Sequence, residues 1–230
     1  MLALAGCGGD GAADGQVTIY AASSLTEAFE KLHPGARYNF AGSDELATQL
    51  REGAEADVYA AASPKYPAAL RDEGIVEQPR TFATNRLVLV VPAGNPADIG
   101  SLADLDRGGV RLVVGAEGVP IGDYTRMVLK KAQRTRILDH VVSEEEDVKG
   151  VLGKVALGEA DAGFVYATDA RAAGDDVRVI ELPMAFQTPI EYPVAVVTTT
   201  SREDDARAFV ELLLSDQGRR VLAGAGFGLP

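Results

Sequence analysis

The stretch Val17-Thr-Ile-Tyr-Ala-Ala-Ser-Ser-Leu-Thr-Glu-Ala-Phe29 changes its periodicity at two serines, and that change decides the fold. Residues 17–21 are β-branched, aromatic or small, the composition of a buried strand. Leu25, Ala28, Phe29 and Leu32 then recur at i, i+3, i+4 and i+7, one apolar face of a helix. Ser24 followed by Glu27 forms an S-x-x-E capping box, which predicts a helix starting at Ser24. A strand that ends where a helix begins leaves unpaired N–H groups and a hydroxyl at the carboxyl edge of a sheet. Small anions bind readily at such a junction.

The same design recurs on either side of the next turn. In Ala36-Arg-Tyr-Asn-Phe-Ala-Gly-Ser43, Tyr38 and Phe40 alternate as in a strand and Gly42 permits a tight turn. Ser43 reads as a second N-cap, ahead of Leu46, Ala47 and Leu50. A strand over residues 56–62 and a short helix around Tyr66 to Leu70 follow. Strand and helix thus alternate through residues 17–80, which predicts a parallel sheet with helices on both faces.

Farther along, residues 86–92 form an apolar run of strand length, 101–105 a short helix and 111–115 another strand. After the loop 116–122, Tyr124, Met127, Val128 and Lys131 take helical spacing. Pro120 suits the first turn, where its missing N–H costs nothing, and leaves the N–H groups of Ile121 and Gly122 free. Val148, Val151, Leu152 and Val155 mark a further helical face, led in by residues 141–147. The acidic run Glu144–Asp147 lacks the ligand alternation of a calcium loop and reads as solvated surface beside a helix N-terminus. Residues 162–166 read as a strand with a turn after Tyr166, and 177–182 and 192–197 as strands. Ala206, Phe209, Val210 and Leu213, then Val221 and Leu222, close the chain in helices. Strand ends meet helix starts or turns at Ser24, Ser43, Ile121, Val148 and Tyr166. Two of these lie before residue 85 and three between 110 and 170, so separate lobes could present all five to one cleft.

A chain of 230 residues accommodates one large domain or two modest ones, and 47% apolar with 24% charged content is ordinary for a globular protein. The net charge of −12, with no clustered basic footprint, excludes nucleic acid as a partner. It also means that an anionic ligand must be held by local dipoles and hydrogen bonds against long-range repulsion. No apolar run reaches 18 residues, the minimum for a membrane-spanning helix. Leu4-Ala-Gly-Cys7 matches a bacterial lipobox, and Gly8 to Gly15 forms a polar, flexible tether behind it. Only six residues, none of them Lys or Arg, precede Cys7, so the signal peptide reads as truncated or mis-started. The alternative is an incidental thiol.

Catalytic patterns are lacking: there is no G-x-S-x-G elbow, HExxH, P-loop or GxGxxG after a strand. His33 lies nine residues beyond Ser24, about two and a half helical turns, too far to activate its hydroxyl. His33 and His140 have no acid or cysteine at metal-ligand spacing, so neither a metal nor a cofactor is expected. Taken one at a time, Ser24 and Ser43 equally suit structural caps, and Tyr166 a cleft wall.

Seven ordered motifs carry a family resemblance. They are Ala21-Ala-Ser-Ser-Leu-Thr26, Phe40-Ala-Gly-Ser-Asp-Glu-Leu46, Gly53-Ala-Glu-Ala-Asp-Val58, Val119-Pro-Ile-Gly-Asp-Tyr124, Glu146-Asp-Val-Lys-Gly150, Gly163-Phe-Val-Tyr-Ala-Thr-Asp-Ala170 and Tyr192-Pro-Val-Ala-Val196. Together they span nearly everything from Val17 to Phe227, and the chain resembles the periplasmic molybdate-binding proteins of ABC transporters. The resemblance implies a type II binding-protein fold, two doubly wound α/β lobes joined by hinge strands. Residues 17–85 with 191–230 would form one lobe, 86–190 the other, and 1–16 the lipobox remnant and tether. It implies oxyanion donors at the Ser24 and Ser43 hydroxyls, the Ile121 and Val148 backbone N–H groups and the Tyr166 hydroxyl.

The expected function is capture of molybdate or tungstate by a monomeric, extracytoplasmic, non-enzymatic protein, lipid-anchored at Cys7, that delivers its ligand to an ABC permease. Another oxyanion (sulfate or thiosulfate), an organic anion, or a secreted hydrolase using Ser24 or Tyr166 are the alternatives. Two departures stand out. Ile121 replaces the alanine usual in the family and could narrow the cleft. Asp44-Glu45 replaces small polar residues and is expected to point outward in the first turn.

Overall fold

The computed structural model describes residues 16–230. Cys7 and the tether lie outside the described residues. The chain opens with β1 (Thr18–Ala22), a 3-10 turn (Ser23–Leu25) and α1 (Thr26–Leu32). Next come β2 (Arg37–Ala41), α2 (Ser43–Arg51), β3 (Val58–Ala60), α3 (Lys65–Asp72) and β4 (Arg80–Asn85). A second series follows: β5 (Leu87–Pro92), β6 (Leu112–Gly115), α4 (Pro120–Lys131), β7 (Val141–Glu145), α5 (Val148–Ala156), β8 (Ala162–Tyr166), α6 (Ala167–Ala173) and β9 (Val177–Glu181). The chain then returns through β10 (Ile190–Val196) to α7 (Glu203–Leu214) and α8 (Asp216–Ala225).

Two five-stranded sheets result, in the orders β2-β1-β3-β10-β4 and β7-β6-β8-β5-β9. Their topologies match: three parallel strands at one side, then two strands joined by antiparallel pairing. In β3 the alternation of a strand distributes Val58 and Ala60 to the core beneath α1. Tyr59, between them, packs on the opposite face with Leu46, Leu50 and Leu70 of α2 and α3. Helices therefore cover both faces of the first sheet. Phe29 anchors α1, its ring 5.4 Å from that of Phe209 on α7 in an edge-on arrangement.

The parallel strands bring their carboxyl ends to one edge of each sheet, where the helices start. Ala22 is registered with Ala41, and Gly115 with Glu145. Gly122 is what lets α4 start so close to the end of β6. A β-carbon there would lie 2.1 Å from the Ala116 carbonyl oxygen and 2.3 Å from that of Gly115. The two crossings between sheets are tied together by Gln187. Its Nε2 donates to the Leu87 carbonyl at 2.8 Å and its Oε1 accepts from the Leu87 N–H at 3.2 Å. Among the described residues no helix is long and apolar enough to cross a membrane.

Several local expectations change. The Ser24–Glu27 capping box does not form: Leu25 occupies the N-cap of α1 and no side chain caps it. Both members of the box have distant partners instead, Tyr192 for Ser24 and Lys149 for Glu27. The N-cap of α2 is Gly42, not Ser43, which is the first helical residue. Residues after Tyr166 form α6, not a turn. The acidic run is partly strand, since Glu144 and Glu145 belong to β7 and only Asp147 caps α5. Residues 80–85, which carry no clear strand pattern, form β4: Arg80-Thr-Phe-Ala-Thr-Asn85 is an edge strand, polar at both ends.

Candidate functional site

A cavity of about 200 Å3, open solvent at its mouth included, lies where the carboxyl ends of the two sheets face each other. Ser24, Ser43, Ile121, Val148 and Tyr166 all line it. No lysine, arginine or histidine does. Whatever binds here meets hydroxyls and helix starts, not a formal positive charge.

The lobe built on the first sheet supplies two serines. Ser43 is buried, and its Oγ accepts the Ala62 N–H at 3.0 Å while its carbonyl accepts the Tyr59 hydroxyl at 2.6 Å. With an N–H already donating to its oxygen, the Ser43 hydroxyl has its own proton to give elsewhere. Ser24 is buried and its Oγ lies 2.9 Å from the Tyr192 hydroxyl.

The other lobe supplies backbone and a phenol. Ile121 is the second residue of α4 behind Pro120, and Val148 is the first residue of α5. Their N–H groups belong to first turns, where the helix offers no acceptor. At α5 the cap Asp147 is engaged with Gly150, whose N–H donates to Oδ1 at 2.8 Å, so its negative charge is turned onto its own helix. Tyr166, at the end of β8, is 1% exposed, and its hydroxyl has no hydrogen-bond partner among the described residues. Burial, with Tyr192 nearby, pushes its pKa well above the normal phenol range, so it stays a protonated donor. An unpartnered buried hydroxyl costs about 1–3 kcal/mol, which an acceptor in the cavity would recover.

Both sequence departures have structural answers. The Ile121 side chain lies against Gly115, where an added β-carbon would come within 2.5 Å of its Cγ2, so a residue without a side chain makes room for it. Glu45 is exposed as expected. Asp44 is not turned outward: it is half-buried, and its Oδ1 is buried without a partner. Burial raises its pKa, and the N–H groups of Asp44 and Glu45 oppose that rise. Asp44 does not line the cavity.

Contacts between the lobes close the rim. A β-carbon at Gly42 would meet the Glu146 carbonyl oxygen at 2.5 Å, so backbone approaches backbone there. Lys65 pairs with Asp123 at 3.0 Å, and the Tyr66 hydroxyl donates to the Gly118 carbonyl. Behind α5, the Lys149 ammonium lies 2.6 Å from Glu27 Oε1 and 3.5 Å from Asp169 Oδ1. Asp169 is fully buried, and burial pushes its pKa up to about 7 against the opposing pull of Lys149. Sequence reading missed Tyr192, Lys149 and Asp169 as neighbours of the site. All three sit in the motifs that carry the resemblance, but nothing local indicates what they face.

The profile of the bacterial extracellular solute-binding proteins matches residues 13–228. The chain belongs to that family. Its members bind solutes outside the cytoplasm, which agrees with a cleft of donors between two lobes. The molybdate-binding protein of Mycobacterium tuberculosis is 41% identical over 224 residues, covering 93% of this chain and 85% of the relative. The periplasmic molybdate-binding protein of Azotobacter vinelandii superposes with a TM-score of 0.84 at 19% identity, over 94% of this chain and all of that one. The sulfate-binding protein of Mycobacterium tuberculosis superposes with a TM-score of 0.78 at 20% identity, over 93% of this chain and 86% of that one. At such identities the two superpositions establish the fold alone, which is the type II periplasmic binding fold.

Proposed function

We propose that this protein captures molybdate, or the nearly isosteric tungstate, in the cavity between its lobes and delivers it to an ABC permease. The observation that carries the reading is a cavity of donors: the unpartnered Tyr166 hydroxyl faces the same space as Ser24, Ser43 and two helix first turns. A tetrahedral dianion brings four acceptor oxygens and no proton. A site whose N–H and O–H donors outnumber its one carboxylate, Asp147 turned onto Gly150, suits it and disfavours protonated phosphate. Each hydrogen bond to a charged group contributes about 1.5–3 kcal/mol net, so several bring affinity below micromolar after association costs. Even with open solvent at the mouth counted, the space is about 200 Å3, below the roughly 300–1,000 Å3 of sites for drug-sized organic ligands, which counts against a large organic anion. The 41% identical relative named for molybdate supports the choice of ion.

The rest of the reading follows from this role. The protein works as a monomer without catalysis, with residues 17–85 plus 191–230 and 86–190 as its two lobes, and Cys7 as the lipid anchor that holds it near the membrane. Ligand-stabilised closure is the signal the permease reads. Sulfate shares the charge and shape of molybdate, so size decides between them. The deciding measurement is calorimetric titration with molybdate, tungstate and sulfate in competition. Tight heat with molybdate or tungstate and weak or no heat with sulfate is expected; no heat with either metal oxyanion ends the proposal.

A further inference from the structure

We infer that Tyr192 is a positioning residue that turns the Ser24 hydroxyl into a one-way donor toward the ligand. The inference rests on the oxyanion reading of the cavity and adds a specificity device beneath it. Tyr192 lies on β10, the strand by which the chain returns to the first sheet, and is completely buried. Three aromatic rings fix its own: Tyr166 at 5.9 Å, Phe227 at 5.2 Å and Phe82 at 6.3 Å, all edge-on. Among the described residues its hydroxyl has two hydrogen-bond partners, Ser24 Oγ at 2.9 Å and Asn85 Nδ2 at 3.4 Å.

The direction of these bonds follows from the far end of the chain. The Arg86 N–H can only donate, and it lies 2.9 Å from Asn85 Oδ1, which sets the orientation of the amide. Asn85 Nδ2 therefore faces Thr168 Oγ1 at 2.9 Å and the Tyr192 hydroxyl, and it donates to both. The Tyr192 oxygen accepts, so its single proton goes to its one remaining partner, Ser24 Oγ. Ser24 then accepts from Tyr192, and its own proton is left for the cavity. The relay runs from Asn85 through Tyr192 and Ser24 to the ligand. Its outer end also holds Thr168 of α6, from the other lobe. Burial keeps the Tyr192 phenol protonated.

A serine oxygen that already accepts from Tyr192 keeps a single lone pair, and with its own proton released it meets an incoming ligand first as a donor. The relay thus biases Ser24 toward oxyanion atoms that accept and away from those that carry a hydrogen. Ser43 is treated the same way by the Ala62 N–H, but there the donor is backbone and cannot be removed by substitution. At Ser24 it is a side chain and can be tested.

The experiment is a double-mutant cycle read by calorimetry on the whole chain. Wild type, Tyr192→Phe, Ser24→Ala and the double variant are titrated with molybdate, tungstate, sulfate and, at pH 8, hydrogen phosphate. Thermal unfolding of each variant confirms that it is folded. Tyr192→Phe is expected to weaken the best proton-free anion about tenfold, the scale of one lost hydrogen bond. Added to Ser24→Ala it should cost less than about twofold, because its effect passes through Ser24. It should also narrow the gap between hydrogen phosphate and the proton-free anion, since Ser24, no longer held as a donor, can turn its proton away and accept. A purely structural role would weaken both ligands alike. Unchanged affinity, an undiminished cost in the Ser24→Ala background, or an unmoved ligand ratio would each overturn the inference. If sulfate alone binds wild type, the molybdate reading fails while the cycle still tests Tyr192 on sulfate. If none of the four binds, both fail.

Discussion

The two lobes contribute to the cavity in opposite ways. Lobe 1 offers hydroxyls whose oxygens are already satisfied from within the protein, Ser24 by Tyr192 and Ser43 by the Ala62 N–H. Lobe 2 offers first-turn N–H groups and a phenol that has no partner. The lesson concerns what each lobe needs. Each lobe 1 serine oxygen already has a partner and keeps only its proton to give, whereas the Tyr166 hydroxyl in lobe 2 has no partner at all among the described residues. A ligand that accepted from both halves would bridge the lobes.

That contrast can be broken by substitution. Ser43→Ala should have the largest combined effect, because it removes a ligand donor and leaves the buried Ala62 N–H unpaired. Stability should fall by about 1–3 kcal/mol and oxyanion affinity by about 10–100-fold, read by urea denaturation and calorimetry on the same variant. Tyr166→Phe should cost a similar factor in affinity yet leave the ligand-free protein as stable as wild type or slightly more so, since the lost hydroxyl had no partner to lose. A large drop in ligand-free stability for Tyr166→Phe would show that the lobes do not differ in this way.

A separate effect concerns pH and centres on Asp169 of lobe 2. Burial holds the Asp169 pKa up at about 7, above its unfolded value of about 3.9. Between these values the folded protein keeps a proton that the unfolded chain has released. The contribution of Asp169 to stability is thus full below about pH 4, declines as pH rises towards 7, and is flat above. Asp169→Asn should abolish that decline, so the stability difference between variant and wild type shifts in favour of the variant from pH 4 to 7. A constant difference across urea midpoints in this range would contradict it. The smallest effect is expected at the rim. Lys65→Met removes a largely exposed ion pair to Asp123 and should change stability by less than about 1 kcal/mol and affinity by a few-fold at most.

Much of the architecture was legible because it is written in local periodicity. The shift from alternation to a 3.6-residue repeat at Ser24, and the Pro120 that opens α4, are properties of neighbouring residues, and neighbouring residues build strands and helices. The same logic located the five junctions whose residues line the cavity. Where reading failed, a tertiary partner had outcompeted a local one. Ser24 and Glu27 had the spacing of a capping box, but Tyr192, 168 residues away, takes the hydroxyl and Lys149 takes the carboxylate. Ser43 had the look of a cap, yet Ala62 on the neighbouring strand occupies its oxygen. Ile121 reads as a residue that narrows the cleft, yet Gly115 makes room for its side chain.

By itself, then, the sequence determined which residues stand where strands hand over to helices, since backbone conformation answers to side chains a few positions away. Only the tertiary structure decided what each polar atom at those junctions faces. A hydroxyl bonds to whichever partner the fold brings within about 3 Å, and that choice sets whether Ser24 caps a helix or offers its proton to an anion.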